Sequence, residues 1–520
     1  MKHVCRKTIA MVLVLTLLAS FAALTVTAAN YTSAPTVYLY GYGSVLNEDK
    51  TDPGSRVIFP AAMPDNFASE VVNKVKGPLA KGVVLNDWDA FHRVVVDTVC
   101  DMYSGFALDE NGEVTDKSGN IYENYTYPLN DRKTESGYEL NTYNYSYDWR
   151  MDPFEVAAGL KEYVEYVCEA TGYDKVNLIG RCLGCNIILA YVQTYGCERV
   201  DQICFYAPGF QGFECIGALF SGDIVFDPDA LPDYFDKAGR AQLSSDDNPT
   251  YDLLVTALEF LNAAKTLHVA KPIFDHYLVP EFQKYILPEI MRRTFGTFPS
   301  FWSFIGDEYY DQSMQVIFGG YEDVFAGVIE KANRYHNEIM AHTGDIISAC
   351  VAEGVETYIV SKYGSRMVPI INNPTVQSDS TVTTANSSHG ATTAPLYGTF
   401  SADFVKGIQT ANAGKYLSAD HQIDASSCLL PDHTWFVKNL YHHENPEQAE
   451  KMIAALFDYE GYTSVFDLDE YPQYLIYDRD TDSISALTSD APASKAPKYF
   501  FFKTLVELFK VIVRVLKSSR

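Results

Sequence analysis

The stretch that decides the fold is Val176-Asn177-Leu178-Ile179-Gly180-Arg181-Cys182-Leu183-Gly184-Cys185-Asn186, followed by the apolar run Ile187-Ile188-Leu189-Ala190-Tyr191-Val192. A short β-branched run that meets G-x-C-x-G and then turns helical is the pattern of a nucleophile elbow. The two glycines allow a turn tight enough to strain the residue between them, Cys182. The Cys182 sulfur would then face the positive end of the helix dipole, and the Leu183 backbone N–H could hold an oxyanion.

With this elbow, and with Tyr147-Asp148-Trp149-Arg150 upstream, the sequence resembles the α/β-hydrolase superfamily and looks like its lecithin:cholesterol acyltransferase branch. That branch normally reads G-H-S-L-G, so Arg181 and Cys182 both depart from it. The resemblance implies an α/β fold with a mostly parallel central sheet flanked by helices. It also implies lipid or other acyl-ester substrates, with water or an alcohol as the acceptor. Some α/β-hydrolases, including dienelactone hydrolases and polyhydroxyalkanoate synthases, use G-x-C-x-G.

Length and charge narrow the class of protein. At 520 residues the chain can bury one large core with an insertion, or two domains. The net charge is -27, and no basic block interrupts the body of the chain, which argues against a nucleic-acid partner.

Residues 1–29 have the pattern of a secretory signal peptide: basic residues, a mostly apolar run and then small residues. A retained membrane anchor is the alternative. We therefore expect the chain to be exported. Nine cysteines follow this segment, and exported chains usually pair theirs; an odd count leaves at least one thiol unpaired, and a free Cys182 would satisfy it. The other thiols could equally be buried in a protein from a reducing or anaerobic setting.

We predict that residues 30–209 are the first part of the hydrolase core. Pro35–Tyr40 reads as a strand that runs into Gly41-Tyr42-Gly43-Ser44. The resemblance implies that this loop supplies the second oxyanion donor, and the N–H of Tyr42 is favoured over that of Gly43. A plain turn at the end of a strand is the alternative.

Asn141 to Trp149 is another predicted strand, beside the elbow strand, and Asp152-Pro153 suits the start of the following helix. In the resembled family the Tyr147-Asp148-Trp149-Arg150 motif supports the active-site loops, so no catalytic step is assigned to it.

A long helical segment interrupts the predicted sheet. Residues 210–354 have mostly helical periodicity and aromatic patches, which favours a cap or lid over a lipophilic substrate. A structural insertion without a role in binding is the alternative. Residues 355–480 then complete the core.

The acid and the base are predicted beyond the cap. Asp379 lies in Ser378-Asp379-Ser380-Thr381-Val382, close to the S-D-G-T-V pattern that carries the family's acid, with Ser380 in place of glycine. Thr434–Asn439 is the predicted final strand. It leads to His442, which matches the hydrolase order of nucleophile, acid and histidine. His443 is the alternative base, and three other histidines are less favoured: His389, His421 and His433.

The end of the chain changes character. Residues 481–497 have the composition of a flexible linker, and residues 498–520 predict an amphipathic helix that is mostly basic on its polar face. Such a helix suits binding in the plane of an anionic membrane. Docking onto the core and self-association are alternatives.

These residues predict acyl transfer through a Cys182–Asp379–His442 triad, with the N–H groups of Leu183 and Tyr42 as the oxyanion hole. Two other functions stay open: a catalytically inactive protein that binds a lipid or glycan, and a redox protein that uses Cys182 and Cys185 as C-x-x-C. No cofactor is predicted. No metal site is predicted either, because the carboxylates around Asp109 fit a turn better than a calcium loop.

Overall fold

An eight-stranded sheet forms the centre of the protein, seen in a computed structural model that describes residues 34–60, 67–121, 142–243 and 249–489. The strands of the described residues are β1 (Thr36–Leu39), β2 (Leu46–Asn47), β3 (Val57–Phe59), β4 (Thr142–Tyr145), β5 (Val176–Arg181), β6 (Val200–Tyr206), β7 (Glu356–Tyr363), β8 (Thr392–Thr393), β9 (Ile423–Asp424), β10 (Thr434–Lys438), β11 (Tyr474–Asp478) and β12 (Ser483–Ala486). The main sheet has the order β12-β11-β10-β7-β6-β5-β1-β4. Its neighbouring strands are parallel except β11 and β12.

Helices cover the sheet and fill the segment between β6 and β7. They are α1 (Phe67–Leu85), α2 (Asp89–Tyr103), α3 (Pro153–Thr171), α4 (Leu183–Tyr195), α5 (Glu214–Ser221), α6 (Ala230–Asp236), α7 (Ala238–Leu243), α8 (Pro249–Ala263), α9 (Thr266–Ile273), α10 (Val279–Glu281), α11 (Leu287–Arg293), α12 (Pro299–Trp302), α13 (Asp307–Phe318), α14 (Ala326–Glu338), α15 (Thr343–Ala352), α16 (Thr384–Ser387), α17 (Ala402–Asn412) and α18 (Glu447–Asp458). Two π-helical turns, Phe274–Leu278 and Phe282–Ile286, join α9, α10 and α11. As predicted, Asp152 caps α3 by accepting the N–H of Phe154, and Pro153 is its first residue.

Alternate residues of the central strands pack on opposite faces of the sheet. Leu178 and Ile203 belong to one apolar cluster with residues of α3, α4 and α15. Ile179 and Cys204 belong to a second cluster with residues of α18. A parallel sheet buried on both faces brings the carboxyl ends of its strands to one edge. The loops after β1, β5, β7 and β10 therefore leave the sheet at the same edge.

The cap segment contains no strand within its described residues 210–243 and 249–354, as its helical periodicity predicts. Its last helix, α15, packs on the sheet side: Ile346, Ile347 and Cys350 join the cluster that contains α3 and α4. The layer that flanks the sheet thus begins before residue 354.

Three predictions about the sheet need correction. The predicted strand Asn141 to Trp149 is shorter in the structure: β4 ends at Tyr145, before the Tyr147 motif, and it pairs with β1, so β1 lies between β4 and the elbow strand β5. Thr434–Lys438 is not the final strand, because β11 and β12 extend the sheet beyond it. The linker prediction is wrong for Ser483–Ala486, which form β12. Short strands at a sheet edge need few apolar residues, so their composition resembles that of a linker.

The predicted signal peptide, residues 1–29, and the predicted amphipathic helix, residues 498–520, lie outside the described residues. Among the helices that the structure describes, none combines the length and apolar character needed to cross a bilayer.

A substitution at Gly184 can test how closely β1 and α4 must pack. A Cβ at Gly184 would overlap the Leu39 carbonyl and come within 2.9 Å of the Leu39 Cβ. We expect Gly184→Ala to lower the free energy of unfolding by about 1–3 kcal/mol, measured by urea denaturation. Gly407 in α17 is the control, since nothing lies within 4 Å of a Cβ there. Gly407→Ala should stabilise the protein by up to about 1 kcal/mol. Equal effects of the two substitutions would mean that Gly184 tolerates a side chain despite the nearby strand.

Candidate active site

Cys182 sits at a strained turn between β5 and α4. Its backbone has φ 52° and ψ -118°, a combination that few residues with a side chain adopt, and it is the N-cap of α4. The flanking glycines let β5 and α4 pack closely at this turn, since a Cβ on Gly180 would come within 2.8 Å of the Cys185 backbone nitrogen. The turn holds the Cys182 side chain at the carboxyl end of the central strand β5, where it is 6% exposed.

The glycine loop after β1 lies directly against this cysteine. A Cβ on Gly41 would lie 2.9 Å from the Cys182 Cβ and 3.4 Å from its Sγ, so only glycine lets the loop come this close. Tyr42 is the next residue. Leu183 is the first residue of α4, and its N–H has no acceptor within the helix. The predicted oxyanion donors thus lie on the two segments that meet at Cys182.

The Tyr147-Asp148-Trp149-Arg150 motif, called the Tyr147 motif, hydrogen-bonds to that loop. The Tyr147 hydroxyl donates to the Tyr40 carbonyl, and the Trp149 indole N–H donates to the Ser44 carbonyl at 2.9 Å. The buried Arg150 in turn binds the Asp148 carboxylate at 2.6 Å. These contacts fix both ends of the loop.

Asp379 and His442 meet in the interior, as the sequence predicts. The His442 Nδ1 lies 2.7 Å from the Asp379 Oδ2. The backbone N–H of His442 also donates to the backbone carbonyl of Asp379 at 2.8 Å. The other carboxylate oxygen accepts the N–H groups of Thr381 and Val382 at 3.0 and 2.9 Å. Ser380, where the family pattern has glycine, adopts φ 86°, the region that favours glycine.

The charges of this pair stabilise each other. Burial alone would lower the pKa of His442, but Asp379 and the neighbouring Cys182 raise it to about 9. Burial would raise the pKa of Asp379, but His442, Lys362 and the Val382 N–H together hold it below its usual value. The second ring nitrogen of His442, Nε2, is buried and has no well-aligned hydrogen bond among the described residues. An imidazole held in this way is suited to exchange a proton with Cys182.

Lys362 holds the loop that carries His442. Its fully buried Nζ donates to the carbonyls of Tyr441, His442 and Glu444 at 3.0, 3.0 and 2.8 Å. Burial, and after it Arg181, lowers the pKa of Lys362 well below its usual value, whereas Asp379 and Glu444 oppose this. A neutral amine has only two N–H donors, so three acceptors match the ammonium form.

Sequence reasoning missed Lys362, although a signal was present. It stands near the end of the run Tyr358-Ile359-Val360-Ser361-Lys362-Tyr363, which is buried throughout. A lysine in a strand buried on both faces needs specific partners, because an unpaired charge there is costly.

Glu214 of α5 is a second missed residue. Its carboxylate accepts the Thr383 N–H at 3.1 Å, the Thr383 hydroxyl and the Asn386 amide at 3.2 Å. It thereby ties the cap segment to the turn that follows Asp379.

The structure pairs His442, not His443, with Asp379. Arg181 donates to the His443 backbone carbonyl, and the His443 ring stacks on Tyr441 with centroids 6.3 Å apart. The remaining candidates lie elsewhere: His389 lines a cavity of about 560 Å³ beside α15, His421 lies in a turn, and the His433 ring stacks on Tyr462.

Aromatic side chains of the cap segment close over the site. The Phe213 ring meets the His442 ring edge-on at 5.5 Å and the Phe304 ring at 4.6 Å. The Phe301 ring contacts that of Tyr42 at 5.9 Å, and Tyr42 is 50% exposed. The wall next to the Cys182 loop is therefore largely apolar.

The environment of Cys185 differs from that of Cys182. Its thiol lies 3.0 Å from the Gly180 carbonyl and 3.7 Å from the Tyr206 carbonyl, and burial raises its pKa well above the usual value. No group of three or more metal-ligating side chains occurs in the part of the chain that the structure describes. Around Asp109 the described residues form a turn, in which its side chain accepts two backbone N–H groups.

Comparison with known proteins gives one family match. Residues 106–272 match the family model described as the alpha/beta hydrolase fold, which is less than half of the chain and includes the elbow. No curated protein matches significantly. Among solved structures, the crystal structure of the Tle4-Tli4 complex is similar over 36% of this chain and 48% of that chain, with 15% identity and a TM-score of 0.19. The chain thus spans about half the length of that protein.

The Asp379–His442 pair makes stability depend on pH. Because the folded pKa of His442, about 9, lies above its unfolded value of roughly 6.5, its stabilising contribution is complete below about pH 6.5 and is lost as the pH rises through 9. We expect the difference in unfolding free energy between wild type and His442→Gln to shrink over that range. Burial lowers the pKa of His433, so the difference between wild type and His433→Gln should change only below about pH 6.5 and stay constant from there to pH 9. Parallel curves for the two variants would contradict a raised pKa at His442.

Lys362 can be tested through the reactivity of Cys182. Lys362→Met removes the donor that three carbonyls of the His442 loop share, so this loop should shift and alkylation of Cys182 by iodoacetamide near neutral pH should slow roughly fivefold or more. Lys438→Met is the matched control: Lys438 is also fully buried, but its Nζ binds the Asp420 carboxylate at 2.7 Å and not the carbonyls of the His442 loop. Both variants should lose stability, and only Lys362→Met should slow alkylation. Equal rates in the two variants would refute the positioning role.

Proposed function

The chain has an α/β-hydrolase fold, and on this premise we propose that it transfers acyl groups through a thioester on Cys182. The observation that carries the proposal is the 2.7 Å contact between His442 and Asp379, with Cys182 next to that imidazole at a strained elbow. A carboxylate, an imidazole and a nucleophile in this order form the general arrangement of acyl-transfer enzymes.

The first half-reaction uses these three residues. His442 accepts the Cys182 proton, and the sulfur forms a bond to the ester carbonyl carbon. The tetrahedral intermediate collapses when the carbon–oxygen bond to the leaving alcohol breaks and His442 returns the proton to that oxygen. The products are an alcohol and a thioester on Cys182.

The second half-reaction regenerates the enzyme. Water or an alcohol loses a proton to His442 and attacks the thioester carbonyl, which releases an acid or a new ester and returns the proton to the Cys182 sulfur. Asp379 holds the imidazole in the required tautomer and stabilises the imidazolium. The backbone N–H groups of Leu183 and Tyr42 stabilise both oxyanions, and each such donor typically contributes about 3 kcal/mol.

The proposed substrates are lipid or other lipophilic acyl esters. The apolar wall formed by Phe213, Phe301 and Phe304 supports this class, as does the resemblance to the lecithin:cholesterol acyltransferase branch. Export of the chain and membrane binding through residues 498–520 are parts of the same proposal, and both depend on segments outside the described residues.

The redox alternative finds less support. A dithiol of the C-x-x-C type needs two thiols that can meet, but the Cys185 thiol contacts the Gly180 and Tyr206 carbonyls in the core, with its pKa raised by burial.

Esters of p-nitrophenol with increasing acyl length test the proposal. We expect Cys182→Ala to lower kcat/KM by at least about 10³-fold, because it removes the nucleophile. Cys185→Ala, three residues along the same helix, should keep most of the activity. Loss of activity in both variants would favour the redox function. A wild-type protein that hydrolyses none of these esters, and whose Cys182 reacts with iodoacetamide no faster than free cysteine, would favour the inactive binding protein.

A further inference from the structure

We propose that Cys197 and Cys350 form a disulfide that closes the base of the cap segment. Their Sγ atoms lie 3.1 Å apart, across 153 residues of sequence. Within the described part of the chain, no other two thiols are in hydrogen-bonding contact. A disulfide bond of about 2.05 Å would therefore require only a small movement of the two sulfurs.

The two cysteines lie on neighbouring elements of one layer. Cys197 follows Gly196, which ends α4 with φ 74°, and Cys350 is in the last part of α15. Both belong to the apolar cluster on one face of the sheet, and they are 6% and 4% exposed. Packing therefore already holds the two side chains together.

The chemistry of oxidation is simple disulfide exchange. A Cys197 thiolate attacks a low-molecular-weight disulfide such as oxidised glutathione and releases one thiolate. The Cys350 thiolate then attacks the Cys197 sulfur and releases the second. Two protein thiols lose two electrons and two protons in total, and the small disulfide becomes two thiols. Because both side chains are buried in the folded chain, the exchange takes place while the chain folds.

The disulfide would enclose β6 and most of the segment between β6 and β7, as far as Cys350. A cross-link over a loop this long restricts the unfolded chain strongly, so it stabilises the fold. It would also leave Cys182 unpaired, which the proposed acyl transfer requires, although the disulfide does not itself depend on that activity. Oxidising compartments, where exported proteins fold, favour such a bond.

The experiment is refolding of the full chain with reduced and oxidised glutathione, followed by alkylation under denaturing conditions and peptide mass spectrometry without reduction. We expect one cross-linked pair, between the peptides that contain Cys197 and Cys350, with the loss of two hydrogens. The thermal unfolding midpoint of the oxidised chain should be several degrees higher than that of the reduced chain.

Cys197→Ser and Cys350→Ser should each remove both the cross-link and the difference between oxidised and reduced midpoints. Cys428→Ser is the matched control, since Cys428 is also buried, and it should keep both. The proposal is overturned if the two thiols remain alkylatable, if they carry only glutathione adducts, or if they pair with other cysteines. Ester hydrolysis of the oxidised wild type is measured separately, so the failure of one proposal leaves the other intact.

Discussion

The strained backbone of Cys182 is the constraint on which the site depends. Residues at φ 52° cost about 1–3 kcal/mol, and such a turn persists only when its surroundings over-determine it. Here β5 before it and the first two turns of α4 after it are almost completely buried, so packing supplies the necessary stabilisation. The glycines on both sides let β1, β5 and α4 approach more closely than side chains permit. As a result, the loop after β1 packs directly against the Cys182 side chain.

The opposite side of the site is held by buried charge. His442 is attached to Asp379 both through its side chain and through its backbone N–H, so one loop cannot move without the other. Lys362 donates to three carbonyls of the histidine loop, and its charge also favours the ionised form of Asp379. Desolvating an ammonium is costly unless every N–H finds an acceptor, and here each one does. The position of the imidazole thus depends on a lysine that takes no part in bond making.

Much of this arrangement is predictable from sequence. The α/β-hydrolase fold is confirmed, because glycine spacing and β-branched runs are local signals, and the carboxyl ends of parallel strands must share an edge. Cys182, Asp379 and His442 could be named from order alone, and they lie together. Lys362 stands out in sequence only as a lysine within a buried strand, and its role could not be predicted, since its partners come from a loop far along the chain. Nor could β12 be predicted, because its four residues pair only at the sheet edge. The sequence favoured His442 but left His443 as an alternative, and the turn of one loop decides between them.

The cysteines show how far environment decides the chemistry of one residue type. Cys182 and Cys185 are three residues apart on the same turn, yet one sulfur faces the imidazole and the other contacts two backbone carbonyls in the core. Burial raises the pKa of the Cys204 thiol, which behaves as a small apolar side chain. Cys197 differs again, because its nearest polar partner is another sulfur. A count of cysteines therefore says little about redox state, whereas the group that each sulfur touches separates a candidate nucleophile, a core residue and a candidate cross-link.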